Sequence, residues 1–433
     1  RLLQSGLIPP KKLTYKYKNE IHANELVLLA YYIAAINIEA VYHHEIIDEY
    51  TPFEGICLTD TFQMYEKEDL VDQVLVDNSA RRKRQKSLDI QVIIGNPPYS
   101  AGQESANDNN QNLAYPYLDS RISETYSKAS SATSTKNLMD SYIRSLRWAS
   151  DRISAQGVIG FVTNASFIDG NSMDGLRKCL AQDFSSIYIF HLRGNQRTSG
   201  DKSRKEGGKI FGSGSRAPIA ISILVKNPNA EKHGKIYFHD IGDYLSREEK
   251  LDKITQLKSI NGISDINGWQ EIFADEHGDW VNQRDKSFDE YIQIANKRTS
   301  LPILFSDLTQ GVLTSRDAWC YNFCSTKLIN NMVHTIGLFN DSIQKEDFNY
   351  TQSSKEINWS RKLKKIHQSK QSLTIENNSV RKVLYRPFTK QWLYFDKAWN
   401  EYTYRWEKFL PNSCKNLIIT ITGIGIQKSF STL

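Results

Sequence analysis

The sequence predicts an α/β domain followed by a second, smaller α+β domain, and three observations carry that prediction. Residues 20–100 alternate helix-like and strand-like patterns, the signature of a sheet with crossover helices. Residues 157–164, 187–192 and 217–225 are short, nearly unbroken apolar runs of the kind that a sheet buried on both faces requires. After Pro228 the chain turns richer in Trp, Tyr, Lys and Asn and its apolar runs become short and irregular. A chain of 433 residues is in any case too long for one ordinary core.

Taken in order, residues 1–8 read as the end of a helix capped by Gly6, so the chain is expected to start inside a domain. Residues 22–37, rich in Leu and Ala, predict a long apolar helix that Glu25 opens. Residues 55–60 predict a short strand ending at Asp60, and residues 90–95 a second ending at Asn96; a parallel sheet is the natural arrangement. Two small-polar stretches, 100–111 and 127–136, read as mobile loops. Residues 138–153 have helical spacing, with Tyr142, Leu146, Ala149 and Ile153 on one side. The composition shift places a domain boundary near 228–240, giving domains of residues 1–230 and 231–433. A strand-like run at 417–421, so close to the end, suggests truncation there too.

Composition excludes some classes. The longest uncharged apolar run, Leu26 to Ile38, has 13 residues, short of the ~20 a membrane span needs. The five cysteines form no CxxC pair and read as reduced thiols in a cytoplasm; Cys320 and Cys324 lack the partners a zinc site would want, so no metal is expected. Net charge is +6, but unevenly placed. Residues 81–86 form one basic cluster, and Arg193, Arg197, Lys202, Arg204, Lys205, Lys209 and Arg216 lie among glycines and serines in another. A phosphate backbone is the obvious partner, against the plain alternative of solvated loops.

The most informative feature is Asn96-Pro97-Pro98-Tyr99, which closes a strand and forces a rigid turn. Two prolines fix φ and remove two donors, so the Asn96 carboxamide and the Pro97 carbonyl can project as acceptors from a stiff platform. Two acceptors gripping the hydrogens of an exocyclic amine would localise its delocalised lone pair toward a methyl donor, and Tyr99 would hold the base by its face. A proline-rich turn after a buried strand is the plain alternative. In a doubly wound sheet ligands sit at the carboxyl ends of the strands, where Glu25, Asp60 and Asn96 are expected. An acidic residue there can bind ribose hydroxyls and a second can accept from an adenine amine, although an Asp after a strand also serves as a helix cap.

The order Glu25-Leu26-Val27-Leu28-Leu29-Ala30, Thr59-Asp60-Thr61-Phe62, Gly95-Asn96-Pro97-Pro98-Tyr99, and the segments at 137–148, 157–167 and 209–221 resemble successive motifs of the gamma-class N6-adenine DNA methyltransferases. Residues 22–25 and 30–39 are similar to the methylase region of the large single-chain Type ISP restriction-modification enzymes. The resemblance implies a Rossmann-like methyltransferase sheet dependent on S-adenosylmethionine. Asn96 and Pro97 would grip N6 of a flipped adenine, Pro98 would stiffen the turn, and Tyr99 and Phe211 would stack on the base. Glu25 would bind the cofactor's ribose and Asp60 would approach its adenine. It also implies double-stranded DNA as partner, with helicase and nuclease domains upstream. The family's glycine-containing cofactor loop is not found ahead of Glu25, so the fragment is expected to be unable to methylate by itself.

The distal half resembles a DNA target-recognition domain, densest at residues 310–319 and 385–394. Arg193, Arg197, Arg204, Lys205, Arg316 and Arg386 are the candidate DNA contacts, with loop ordering as the other role for Arg316 and Arg386. Phe388, Trp392 and Tyr394 read as core. Two other functions stay open at this point: a non-catalytic DNA-binding specificity module or remnant, and a methyltransferase acting on RNA or on glutamine amides.

Overall fold

In the computed structural model, described for residues 3–47, 49–66, 76–98, 114–132, 134–212, 215–285, 287, 290–295, 302–345, 348–350, 357–386, 389–409, 418–421 and 431–432, the chain forms two compact units, residues 1–285 and 286–433. Among the described residues the first begins with a turn, in which the Gly6 N–H donates to the Leu3 carbonyl with Gly6 at φ +71°. Helix α1 (Pro10–Asn19) then starts on a proline, whose fixed φ suits the first helical position. The helix expected over 22–37 is instead a strand and a helix, β1 (Ala23–Glu25) and α2 (Leu28–Glu45). β1 pairs in parallel with β2 (Ile56–Leu58), Glu25 opposite Leu58, and this pairing outcompetes helix at 22–25. One side of α2 packs Tyr31, Ala34, Ala35, Ile38 and Tyr42 around Tyr17, Phe53 and Ile56, while Leu29, Tyr32, Ile33 and Ile36 on the other side are exposed.

Helix α3 (Val76–Ser87) leads to β3 (Val92–Gly95), the edge of a six-stranded sheet. α4 (Pro116–Ile122), extended by a π-helical turn at Ser123–Ser127, and α5 (Ser141–Arg152) precede β4 (Gly157–Asn164); α6 (Asp174–Asp183) precedes β5 (Ser186–Arg193). After α7 (Asp201–Glu206) come β6 (Ile219–Lys226), β7 (Lys235–Asp240), α8 (Arg247–Leu257), α9 (Ile260–Asp265) and β8 (Gln270–Ile272). The strand order is β3-β4-β6-β5-β7-β8. The sheet is mixed, not wholly parallel as the alternation suggested: β6 runs antiparallel between β4 and β5, and β8 antiparallel to β7. The core of this unit joins Leu118, Ile122, Tyr126, Tyr142, Ile143 and Leu146 to Ile159, Ile187 and Ile189 of the sheet.

The boundary expected near 228–240 falls inside this sheet. β7 pairs with β5 over its whole length, Ser186 opposite Lys235 through His191 opposite Asp240, so the change of composition marks extra strands and surface helices rather than a new domain.

The second unit contains α10 (Asp317–Cys320), β9 (Tyr321–Asn322), α11 (Ser325–Ile343), α12 (Arg361–Gln368), β10 (Val380–Arg386) and β11 (Thr389–Tyr394). An antiparallel sheet of order β10-β11-β9 packs against α11, whose Leu328, Met332, Ile336 and Phe339 meet Leu393, Tyr394 and Trp399. Trp392 and Tyr394 thus belong to the core region, as expected; Phe388 lies outside the described residues.

Candidate active site

Strand topology brings Asn96 and the basic segment that follows Arg193 to one end of the six-stranded sheet, while Glu25 and Asp60 lie at the end of a separate two-stranded sheet, β1-β2. β3, β4 and β5 are directed alike, since β3 and β4 pair in parallel and β6 opposes both β4 and β5. Their carboxyl ends, at Gly95, Asn164 and Arg193, and the start of β6 at Ile219 therefore share one edge of the sheet. Gly95 lies opposite Phe161, and a Cβ there would sit 3.0 Å from the Phe161 ring, so the strand end is closely backed. Asn96 and Pro98 are exposed beyond it and Pro97 is half-buried; Tyr99 lies outside the described residues.

Glu25 and Asp60 end neighbouring strands, bound together where the Thr59 N–H donates to the Glu25 carbonyl at 2.8 Å. Glu25 ends β1 rather than opening a helix. Its Oε1 accepts the N–H groups of Leu26 and Val27 at 2.9 and 3.0 Å, which leaves Oε2 open among the described residues. Asp60 Oδ1 accepts from the Phe62 N–H at 2.9 Å, an Asx turn leading into the turns at residues 61–66 and not the helix cap weighed as its plain alternative. Its Oδ2 accepts from the Tyr115 hydroxyl at 2.7 Å. Tyr115 is held in turn: its N–H donates to Asp119 Oδ2 at 3.2 Å, and Arg144 donates to Asp119 at 2.8 and 3.0 Å while lying 5.2 Å from the Tyr115 ring centre. Burial, then the hydrogen bond to Asp60, pushes the Tyr115 hydroxyl's pKa well up, so it remains a donor. Sequence reasoning missed Tyr115 and Arg144, because the tyrosine and its partner are 55 residues apart and nothing local signals the pairing.

The basic excursion lies between β5 and β6, at the same edge as Asn96. Within it, Arg193 is turned inward. At φ +56° it donates through Nε to Asp240 at 2.7 and 3.0 Å, and it also pairs with Asp243. Burial raises the Asp240 carboxyl's pKa, but donors from His191, Arg193 and the Gly242 N–H outweigh it and hold the value at about 2. Arg197, Arg204 and Lys205 are exposed, the last two beside Asp201 at 3.4 and 3.7 Å. Phe211 is half-buried against the cluster of Phe190, Leu192, Ile210, Ile219 and Ile241. The basic stretch at 81–86 lies on α3: Arg81 donates to the Tyr31 hydroxyl, Arg84 to the Glu54 carbonyl and Lys86 to the Glu66 carbonyl.

In the second unit Arg316 is 3% exposed. It donates to the carbonyls of Thr314, Asn358 and Trp399 and to the Ser360 hydroxyl, at 2.9, 3.1, 2.6 and 2.7 Å. Its donors are thus spent on internal acceptors, the arrangement that the loop-ordering alternative requires. Arg386 ends β10, and its side chain lies outside the described part.

Two family models match the chain: the Eco57I restriction-modification methylase over residues 16–197 and the Type ISP C-terminal specificity domain over residues 303–433. The nuclease-deletion mutant of the Type ISP restriction-modification enzyme LlaGI, solved with a DNA substrate mimic, is 42% identical at a TM-score of 0.84, aligning over 99% of this chain and 36% of that one. The chain belongs to the Type ISP restriction-modification family. LlaBIII, an ATP-dependent Type ISP enzyme solved bound to DNA, is 41% identical over 94% of this chain and 27% of that one, with a TM-score of 0.82. DrdV, in a DNA complex, is 35% identical over 94% and 40%, with a TM-score of 0.77. No curated protein matches. The chain therefore spans 36% of the length of the LlaGI chain and corresponds to the methylase and target-recognition portion of a Type ISP enzyme. Glu25, Asp60 and Asn96 fall within the methylase match and Arg316 and Arg386 within the specificity match, while Phe211 lies in neither.

Proposed function

We propose that this Type ISP portion methylates N6 of an adenine flipped out of duplex DNA, with the second unit recognising the target sequence. One observation carries the reading: the Asn96-Pro97-Pro98 segment, which Tyr99 follows in sequence, leaves a strand end in the same unit as two acidic residues on adjoining strand ends. S-adenosylmethionine supplies an electrophilic methyl group. A carboxylate with one open oxygen suits ribose hydroxyls, and Asp60, held by Tyr115, suits an adenine amine, so Glu25 and Asp60 fit that cofactor. The sheet is the Rossmann-like core of such a methyltransferase.

The chain's own part in the chemistry is to bind and polarise the base. The Asn96 carboxamide oxygen and the Pro97 carbonyl accept the two hydrogens of N6, Pro98 keeps the turn stiff, and Tyr99 and Phe211 cover the two faces of the adenine. Acceptors there would matter most as positive charge builds on the amine, when its lone pair would form the new bond to the methyl carbon as the sulfonium–methyl bond breaks and its electron pair goes to sulfur; one N6 proton would then leave to solvent. Arg197, Arg204, Lys205 and Arg386 contact the DNA, while Arg193 and Arg316 act by ordering the loops around them. The rest of the polypeptide would add a nuclease and a helicase-type ATPase, working on DNA in the cytoplasm.

In the complete polypeptide, Asn96→Ala is expected to lower the single-turnover methylation rate by ~10²–10³-fold with duplex affinity unchanged, by analogy with loss of one transition-state hydrogen-bonding partner. A rate within about twofold of the parent would overturn the assignment, and product mapping that found methyl groups on RNA or glutamine amides alone would overturn the substrate.

A further inference from the structure

We propose that Lys250 and Arg247, both on α8, are positioning residues that hold the Phe211 segment at the target-base site. The proposal rests on the reading of Phe211 as a wall of that site. Lys250 has no exposed side-chain surface, and its ammonium makes no carboxylate pair among the described residues. It donates to two backbone carbonyls, Glu206 at 2.8 Å and Gly208 at 2.7 Å, bracketing Gly207. Arg247 Nε donates to the Ile210 carbonyl at 2.9 Å, and the Gly208 N–H to the Leu245 carbonyl at 2.9 Å. The chain from 206 to 210 is thus tied to Leu245 and the first turn of α8 by four hydrogen bonds, and Phe211 follows at once.

The glycines show how close that approach is. Gly207 has φ +66°, and a Cβ on it would collide with the Leu245 carbonyl; a Cβ on Gly208 would collide with the Arg247 backbone nitrogen. No side chain could stand between the two segments. Lys250 supplies two of the ties that hold them together, although burying an ammonium costs several kcal/mol where an apolar side chain would cost nothing of the kind. Glu206 and Asp240 face the ammonium favourably and Arg193 unfavourably, and burial prevails, lowering its pKa to about 8. A charged group kept there against that cost has a geometric use. It makes the exit of the excursion from α7 rigid just ahead of Phe211, at the sheet edge where β3 delivers Asn96. The same module explains why β7 and α8 belong with the first unit: they form the platform on which the excursion rests.

The test compares Lys250→Met, Arg247→Ala and Phe211→Ala in the complete polypeptide, using a duplex with 2-aminopurine at the methylated position. Lys250→Met fills the buried volume without the donors; Arg247 is exposed, so Arg247→Ala leaves no core cavity should the methionine variant fail to fold. For the α8 variants, base-flipping fluorescence and single-turnover rate are expected to fall together, by ~10-fold for Lys250→Met, as for a catalytic group displaced by part of an ångström. Cofactor affinity, measured calorimetrically, should stay within about twofold. If both α8 variants flip and methylate within about twofold of the parent while Phe211→Ala does not, the positioning proposal is overturned and the role of Phe211 stands. If Phe211→Ala itself flips and methylates normally, the reading of Phe211 falls and the proposal with it.

Discussion

Replacing Arg316 by alanine should damage the folding of the second unit far more than its contact with DNA. The guanidinium is almost fully buried and donates four hydrogen bonds, three of them to main-chain carbonyls from residues 314, 358 and 399 that are far apart in sequence. It also lies 5.2 Å from the Trp399 ring centre. Hydrogen bonds from a charged donor contribute ~1.5–3 kcal/mol each, but the desolvation of the guanidinium offsets much of that sum. Deleting the donor leaves its carbonyl partners unpaired, and a net loss of ~3–5 kcal/mol follows from comparable buried charged groups. With a urea slope of ~2 kcal/mol per molar, the midpoint should fall by ~2 M. Urea titrations of the chain followed by hydrogen exchange at the β11 amides measure the loss locally. Arg316→Lys should recover only part of it, because one ammonium cannot reach four acceptors in the guanidinium's fork geometry. A midpoint shift below about 0.5 M, corresponding to ~1 kcal/mol on the same slope, accompanied by weakened DNA binding would refute the reasoning and restore Arg316 as a DNA contact.

Asp174 is fully buried; burial raises its carboxyl's pKa, but the Ser130 hydroxyl, the Ser131 N–H and hydroxyl and the Gly175 N–H outweigh that and hold it at about 2. A folded pKa below the unfolded one gives stability that is complete above about pH 5 and is lost as pH falls through the folded value. The carboxylate should therefore contribute about 2 kcal/mol at neutral pH, and Asp174→Asn should flatten the acid limb of the stability profile between about pH 5 and 2; an unchanged limb would exclude this carboxylate as the cause. Tyr115→Phe removes the donor to Asp60 Oδ2 and should cost about 1 kcal/mol of stability, read by thermal melting, with weaker cofactor binding by calorimetry; an unchanged cofactor affinity would remove Asp60 from the proposed pocket. Replacing both Arg204 and Lys205 by alanine should reduce the slope of log affinity for DNA against log salt by ~2, whereas Arg193→Met should leave that slope unchanged and lower stability instead.

The central strands were legible because each is an apolar run long enough to be nothing else, and β4, β5 and β6 lie within two residues of the expected limits. What failed was pairing. β1 is three residues long and sits in front of a Leu-rich helix, so its character comes entirely from Ile56–Leu58 alongside it. β6 is as apolar as its neighbours, and nothing in its composition states that it runs antiparallel between them. The module from β7 to β8 was assigned to the second domain because its exposed helices carry a surface composition, although its first strand is hydrogen-bonded to β5 throughout.

The site divides along the same line. Asp60 and Asn96 were legible as residues that follow strands, because an apolar run that stops at a polar residue marks its own carboxyl end; Glu25, expected to open a helix, instead ends a strand whose sequence carries no apolar run. The cations were not, since a sequence counts charges without saying where they point. Arg193 finds its partners 47 and 50 residues on, and Arg316 reaches 83 residues ahead. A guanidinium offers five donors and no acceptor, so in irregular chain, where carbonyls lack ladder partners, an arginine is an effective internal tie as well as a ligand for phosphate. A basic run among glycines and serines therefore predicts two populations, and only burial separates them. Arg193 and Arg316 belong to the inner one and Arg197, Arg204 and Lys205 to the outer. The electrostatic footprint offered to DNA is correspondingly smaller than the charge count of this excursion implies, and the salt dependence of binding should scale with the outer set alone.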